Sequence, residues 1–370
     1  MPEVDTTTRL ISDETVILDN ATEKPVCDGP QCRYTPPPPK PQERYSFIRS
    51  IGFGGMKSVL LVHDADTDRE VAMAMMPDFR ERPEADLQRF VREAKLTAHL
   101  EHPYIVPVHD IGTDRSGSPY FTMKYLKGLP LSTLISRLHQ GDPQTLAEYP
   151  PSRMLRLFTR ICQAVEYAHA QGYCHLDLKP ANVNVGEYGD TYILDWGLAR
   201  AVDSRGVAVS EACAIRAAGT PGYMAPEQIT SELGHPVGVK SDIYALGALL
   251  YTILALKSPA ADFDKDEVLQ RTVNGSFPMP SEIAPEGRLV PASLEAVVKR
   301  AMAPDPADRY DSVRALWTEI IAFTSGFATV AEQASPFKRL LLFTWRNALW
   351  IAVGLLGAAL VLTLTLLWMA

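Results

Sequence analysis

The chain has 370 residues, of which 46% are hydrophobic and 22% charged, enough to bury one large core or two lobes around a cleft. Its formal net charge of −8 argues against nucleic acid as a partner, because no basic stripe exists to neutralise phosphates. Five cysteines, an odd number scattered without a repeated metal-ligand spacing, fit a reduced compartment better than a disulfide framework.

Residues 1–44 carry TTT, several acidic residues and TPPPPKP at 35–41 with little apolar periodicity. They read as a disordered, Pro-rich arm that ends in a stiff polyproline segment and serves as a tether or a phosphorylation target. Within it, Cys27 and Cys32 of CDGPQC form the close cysteine pair. Two thiols cannot close a tetrahedral zinc site without two further ligands, and the segment offers none, so it reads as linker.

From residue 45 the pattern changes. Short β-branched runs surround one helical stretch, EADLQRFVREAKLTAHL, and the remainder is helix-like, as in LRLFTRICQAVEYAHAQG and SDIYALGALLYTILAL. This predicts an α+β chain with a small sheet-rich lobe over 45–124 and a larger helical lobe over 125–325, without an internal repeat. A basic juxtamembrane segment, 326–347, contains Lys338, Arg339 and Arg346. It leads into 348–370, ALWIAVGLLGAALVLTLTLLWMA, a run without a charge. At 1.5 Å per residue such a helix is about 35 Å long, enough for a hydrocarbon core of about 30 Å. Basic residues precede it and none follows, and Trp345, Trp350 and Trp368 sit near its ends as interfacial anchors. The expectation is a single membrane span with everything before it cytoplasmic, serving either as a tail anchor or as the link to an outer domain. Gly354 and Ala358 form a small-xxx-small pair able to bring two such helices together as a homodimer.

Chemistry concentrates in HLDLKPANV at 175–183 and LDWGLA at 194–199. Together with a glycine loop from Gly52, REAK with Glu93, FTMKYLKG as a hinge after Met123, GTPGYMAPE, SDIYALG and DPADRY, these motifs stand in the order of a known family. Residues 45 to about 325 resemble a serine/threonine protein kinase of the bacterial, eukaryote-like (Hanks) type. The resemblance implies the two-lobed protein kinase fold and transfer of the ATP γ-phosphate to protein hydroxyls, work that consists of positioning and charge neutralisation. Asp177 would accept the proton of the substrate hydroxyl, Lys179 would steady the γ-phosphate, and Asn182 with Asp195 would hold Mg2+. The nucleotide would be lined by Ile51, Gly52, Phe53, Gly54, Gly55, Val59, Ala72 and Met123. Gly197 would permit a sharp turn after Asp195, and Thr220 would hydrogen-bond to Asp177 and Lys179. The resemblance also pairs Glu227 with Arg309 as a buried bridge and sets Asp242 at the start of a central helix.

The family's pattern is broken at one place. Where GxGxxGxV is expected, the third glycine is Lys57, and where VAxK presents a lysine to the α- and β-phosphates the sequence reads VAMA, with Ala74 in its place. Alternation along a strand puts Ala72 and Ala74 on the nucleotide face, and it puts Lys57, two residues before Val59, on that face from the neighbouring strand. The arrangement is similar to the with-no-lysine kinases, in which a lysine at the third glycine position replaces the usual one. The flexible ammonium of Lys57 would reach the same oxygens, oriented by Glu93. The chloride response of that family is not implied, because Trp196 stands where its leucine follows the metal aspartate.

A second departure concerns regulation. The arginine that usually precedes the catalytic aspartate is Leu176, and the loop EACAIRAAG between Ser210 and Thr220 has no hydroxyl residue, so activity is expected not to depend on loop phosphorylation. The reading is a membrane-anchored kinase using ATP and Mg2+ on protein substrates. The alternatives are a pseudokinase that binds nucleotide and acts as a scaffold, and an adaptor presenting its polyproline arm.

Overall fold

The computed structural model of the protein describes residues 16–17, 44–53, 57–209, 218–230 and 233–369. The first strand, β1 (Val16–Ile17), belongs to the arm expected to lack structure. It pairs antiparallel with Ala218–Gly219, Val16 opposite Gly219. The polyproline run, Cys27 and Cys32 lie outside the described residues.

Five antiparallel strands build the small lobe: β2 (Tyr45–Phe53), β3 (Ser58–Asp64), β4 (Arg69–Met75), β5 (Val108–Thr113) and β6 (Pro119–Lys124), in the spatial order β2-β3-β4-β6-β5. Helix α1 (Glu84–His99) lies across the sheet. Its buried Leu87, Phe90, Val91 and Ala94 recur at helical spacing, and they meet Ala74, Met76 and Phe121 in one apolar cluster. Arg44 closes the far end of the lobe. Its guanidinium donates to both carboxylate oxygens of the buried Asp64 at 2.7 and 2.8 Å and to Asp110 at 3.1 Å, joining the entry of β2 to β3 and β5.

The large lobe opens with β7 (Gly128–Pro130), α2 (Leu131–His139), α3 (Pro143–Glu148) and α4 (Pro151–Ala170). Short strands β8 (Tyr173–Cys174), β9 (Val183–Gly186), β10 (Thr191–Ile193), β11 (Arg200–Ala201) and β12 (Ala218–Gly219) carry the motif-rich loops across its upper surface. Below them come α5 (Pro226–Ile229), α6 (Val239–Ala255), α7 (Lys265–Asn274), α8 (Pro280–Ile283), α9 (Ala292–Ala301) and α10 (Val313–Thr324). Helix α6 is buried continuously from Ser241 to Ala255, as a helix apolar on every side must be, and α4, α9 and α10 share its core cluster. At Gly247 a Cβ would come within 2.7 Å of the Ala301 side chain, so glycine there lets α6 and α9 approach.

Glu227 and Arg309 form a bidentate pair at 2.8 and 2.9 Å, with both side chains fully buried. Ser241 also donates to Glu227, and the remaining guanidinium hydrogens go to the carbonyls of Lys240, Ala303 and Pro304. A buried pair survives only when satisfied in this way. The chain then leaves the lobe through α11 (Pro336–Arg346) and α12 (Ala348–Met369). Helix α12 is long and apolar enough to cross a membrane and buries none of its residues.

Replacing Arg309 by alanine leaves the Glu227 carboxylate buried without its counter-charge. The expected loss is about 3–5 kcal/mol of unfolding free energy, read by denaturant unfolding of residues 40–330. A loss under about 1 kcal/mol, the size of a surface ion pair, would contradict the assignment.

Candidate active site

The face of the sheet that looks into the cleft is set by strand register. Val59 lies opposite Ala74 and Leu61 opposite Ala72, while Ala72 is also opposite Met123 and Ala74 opposite Phe121. Residues directly opposed in an antiparallel pair share a face, as do residues two apart in one strand. Lys57 immediately precedes β3, two residues before Val59, and the alternation therefore carries it toward the Ala74 side. Ala74 is fully buried among Phe90, Ala94 and Phe121. No side chain leaves that position for the phosphates.

Lys57 fills the gap. Its Nζ donates to Glu93 Oε1 of α1 and to Asp195 Oδ1 at 3.0 Å, so one ammonium bridges the helix of the small lobe to the loop of the large one. Burial opposes charging of the amine, but Asp195 and Glu93 outweigh it and hold the Lys57 ammonium above the ordinary lysine range. Burial likewise works against ionised Asp195, yet the Lys57 charge beside it leaves this carboxyl below its usual range. At Glu93 burial wins and the carboxyl is raised, against the pull of Lys57. The raised lysine contributes stability that is complete below the unfolded lysine value of about 10.4 and is lost as pH rises through the folded value. The depressed aspartate contributes above about 3.9, and that part is lost as pH falls through its folded value. The Lys57–Asp195 pair is therefore intact through neutral pH.

Asp195 adopts a left-handed backbone conformation, φ 59°, an uncommon state for a side-chain-bearing residue and one that concentrates at functional sites. The turn expected at Gly197 is present, closed by the Ala199 N–H donating to the Trp196 carbonyl at 3.1 Å, while the left-handed residue is Asp195 and Gly197 is not among those of positive φ. Gly197 matters for space as well. A Cβ there would sit 3.2 Å from both Asp195 Oδ1 and Glu93 Oε2, crowding the two carboxylates that Lys57 bridges.

Across the cleft floor, Asp177, Lys179 and Thr220 close a buried triangle. Lys179 Nζ donates to Thr220 Oγ1 at 2.7 Å, Thr220 Oγ1 donates to Asp177 Oδ1 at 3.1 Å, and Lys179 lies 3.3 Å from Asp177 Oδ2. Asn182 Nδ2 donates to the carbonyl and carboxylate of Asp177, at 2.8 and 3.1 Å. That leaves its carbonyl oxygen as the atom it can offer a metal. Together with the partly exposed carboxylate of Asp195, this oxygen donor set suits a hard divalent cation such as Mg2+.

The loop bearing Asp177 is held from below. Asp242 accepts from the backbone N–H groups of His175 and Leu176 at 2.7 and 2.8 Å and pairs with His169 Nε2 at 2.8 Å. Burial would raise this carboxyl, but these hydrogen bonds and the His169 ring keep it low. Two positioning residues were not singled out from sequence. His175 accepts from the Asp177 N–H through Nδ1 at 3.2 Å and packs its ring against Trp196 at 4.6 Å, and Gln228 donates to the Leu176 carbonyl. The signal for them is position: His175 opens HLDLKPAN and Gln228 follows APE. Leu176, at φ 66°, turns into an apolar cluster with Cys174, Leu198 and Val237.

Of the residues expected to line the nucleotide, Ile51, Gly52 and Phe53 end β2, and Val59, Ala72 and Met123 lie on facing strands. Gly54 and Gly55 lie outside the described residues, as do Ser210 and the loop up to Ala217.

Residues 45–321 match the family described as the protein kinase domain. The chain is 38% identical over 294 residues to serine/threonine-protein kinase PknD of Chlamydia caviae, covering 75% of this chain and 31% of that protein. It is 35% identical over 320 residues to PknD of Protochlamydia amoebophila, with 82% and 32% covered, and 36% identical over 305 residues to PknD of Chlamydia trachomatis, with 77% and 32% covered. The chain thus spans about a third of the length of these curated relatives.

Replacing Lys57 by methionine removes the charge that depresses Asp195 while keeping the bulk. The Asp195 carboxyl should then titrate at higher pH than in the parent, because burial is opposed only by the smaller effects of His175 and Lys179. Carboxyl-carbon NMR titration reads this directly; an unchanged Asp195 titration would contradict the bridge.

Proposed function

We infer the function from one premise: the chain belongs to the protein kinase family. On that premise we propose that it is a membrane-anchored serine/threonine kinase transferring the γ-phosphate of ATP to protein hydroxyls. The observation that carries the reading is Lys57, whose ammonium stands between Glu93 and Asp195 on the face that Ala74 leaves bare.

In this reading Asp177 accepts the proton of the substrate hydroxyl as its oxygen attacks the γ-phosphorus, and the bond to the β-γ bridging oxygen breaks to release ADP. Lys179, already within reach of Asp177 and Thr220, steadies the charge on the transferred group. Lys57 neutralises the α- and β-phosphates from the glycine-loop strand, and Glu93 fixes its direction. Bound Mg2+, held by Asn182 and Asp195, would supply charge neutralisation on the phosphate oxygens. The nucleotide base would lie over Val59, Ala72 and Met123.

Leu176 bears on regulation. A guanidinium at this position would grip a phosphorylated loop, whereas the leucine contributes to an apolar cluster with Leu198 and Val237, and Val202 and Ala208 pack against it. That cluster supports an activation segment held by burial, without need of a loop phosphate. Helix α12 is the candidate membrane span, and the positive residues of α11 that precede it support a kinase domain on the cytoplasmic side.

A pseudokinase scaffold is the second reading, favoured by the absence of a lysine at position 74. Phosphate transfer from labelled ATP by residues 40–330 separates the two. The parent protein should transfer phosphate, Lys57→Ala should lose about 100-fold and Asp177→Asn about 100-fold or more. Nucleotide binding without transfer in the parent would hand the function to the scaffold. Full activity in Lys57→Ala would leave a kinase but remove the displaced lysine.

A further inference from the structure

Helix α11 presents two faces, and among the described residues only one is in contact with the rest of the protein. Along the first, Lys338 donates to Glu332 and lies 3.4 Å from Ser293 Oγ, Leu342 is half-buried, and the Arg346 guanidinium stacks 3.8 Å over the Phe327 ring. These three are four residues apart and so form one helical stripe, which docks α11 on the large lobe. Ser335 caps the helix by accepting from the Lys338 N–H.

The other stripe is apolar and uncovered. Phe337 is 76% exposed and Trp345 83%, and Leu340 and Leu341 between them are more than half exposed. Four large apolar side chains at helical spacing on a docked helix are not a soluble surface. Only Asn347 separates α11 from α12, so the stripe is continuous with the apolar surface of the candidate span. Exposed Phe343 widens this apolar face on one side, and exposed Arg339 stands beyond it at that edge, a charge able to meet an anionic headgroup.

We propose that α11 is an in-plane membrane anchor, its Phe337, Leu340, Leu341 and Trp345 face lying in the interface of an anionic bilayer, and that its contacts with Glu332 and Phe327 hold the kinase domain against that surface in one orientation. The inference rests on α12 spanning the bilayer. An interfacial helix of this kind has an apolar face sunk about 5–10 Å into the headgroup and acyl boundary and basic residues at its rim. Tethering by α12 alone would leave the lobe free to tumble on a linker, whereas the α11 docking contacts leave no linker between lobe and membrane.

The test uses the full chain reconstituted in vesicles of phosphatidylcholine with a minority of phosphatidylglycerol. Cys27, Cys32 and Cys213 are replaced by serine, the buried Cys162 and Cys174 are left in place, and a nitroxide is attached at Leu340→Cys, Leu360→Cys or Glu286→Cys in turn. Collision rates with oxygen, which partitions into lipid, and with a water-soluble nickel complex are measured. The label at 360 reports the span and the one at 286 reports water. An oxygen-to-nickel ratio at 340 roughly threefold or more above that at 286, with a still higher ratio at 360, is expected for a helix at interfacial depth. A ratio at 340 equal to that at 286, with 360 in lipid, overturns the interfacial helix while the span stands. A low ratio at 360 overturns both. A label at 340 shielded from both reagents, with spin-spin broadening between labels, overturns the proposal in favour of a second copy on this face.

Discussion

One ammonium joins the two lobes across the cleft. Lys57 reaches Glu93 on α1 and Asp195 on the loop after β10, so it ties the small lobe and the helix that packs across it to the loop that bears Asp195, beside the backbone bonds of Tyr104 and Val106 with Ile193. The electrostatics require such a tie. Two carboxylates this close repel one another, and burial opposes ionising either, so a positive charge between them determines whether the site exists in a usable protonation state. Ala74 cannot supply that charge, and it is fully buried in one apolar cluster with Phe90, Ala94 and Phe121. The backbone accommodates the arrangement at two places, the left-handed Asp195 and the side-chain-free Gly197.

The catalytic loop is organised by the same logic with the signs reversed. A buried anion, Asp242, collects the N–H groups of His175 and Leu176 from beneath, and a buried cation, Lys179, links Thr220 to Asp177 from the side. Each charged group is paired and hydrogen-bonded, which is the condition for burying it without a net penalty. Deeper still, Glu227 and Arg309 lock the end of the activation segment to the helices below. The result is a hydrogen-bonded floor, joined to the small lobe by the lysine bridge, by Lys124 donating to the Tyr192 hydroxyl and by the backbone bonds of Tyr104 and Val106 with Ile193.

Much of this was legible in the sequence. Period-two alternation placed Lys57 and Ala74 on one face, and the register of Val59 against Ala74 gives that placement its physical form. The two-lobed α+β architecture followed from where β-branched runs gave way to helical periodicity, and the apolar run at the C-terminus forms the helix α12. The misreadings and omissions have a common cause: they depend on space or on long-range contact, which alternation does not encode. Gly197 reads as a turn glycine and lies in a turn, but the volume it also leaves for two carboxylates shows only in the folded chain. Leu176 reads as a missing arginine, and only the folded chain brings Leu198 and Val237 to it. The stripe of Lys338, Leu342 and Arg346 is visible on a helical wheel, whereas its partners Glu332 and Phe327 are set by the loop before α11.

The displaced lysine is the claim on which this account stands, and a structure of residues 40–330 bound to a non-hydrolysable ATP analogue and Mg2+ measures it most directly. The account predicts Lys57 Nζ within about 3 Å of an α- or β-phosphate oxygen, the range of a charge-assisted hydrogen bond, with Glu93 still paired to it. A nucleotide seated in the cleft with Lys57 turned to solvent, and another cation or none on those oxygens, would contradict it.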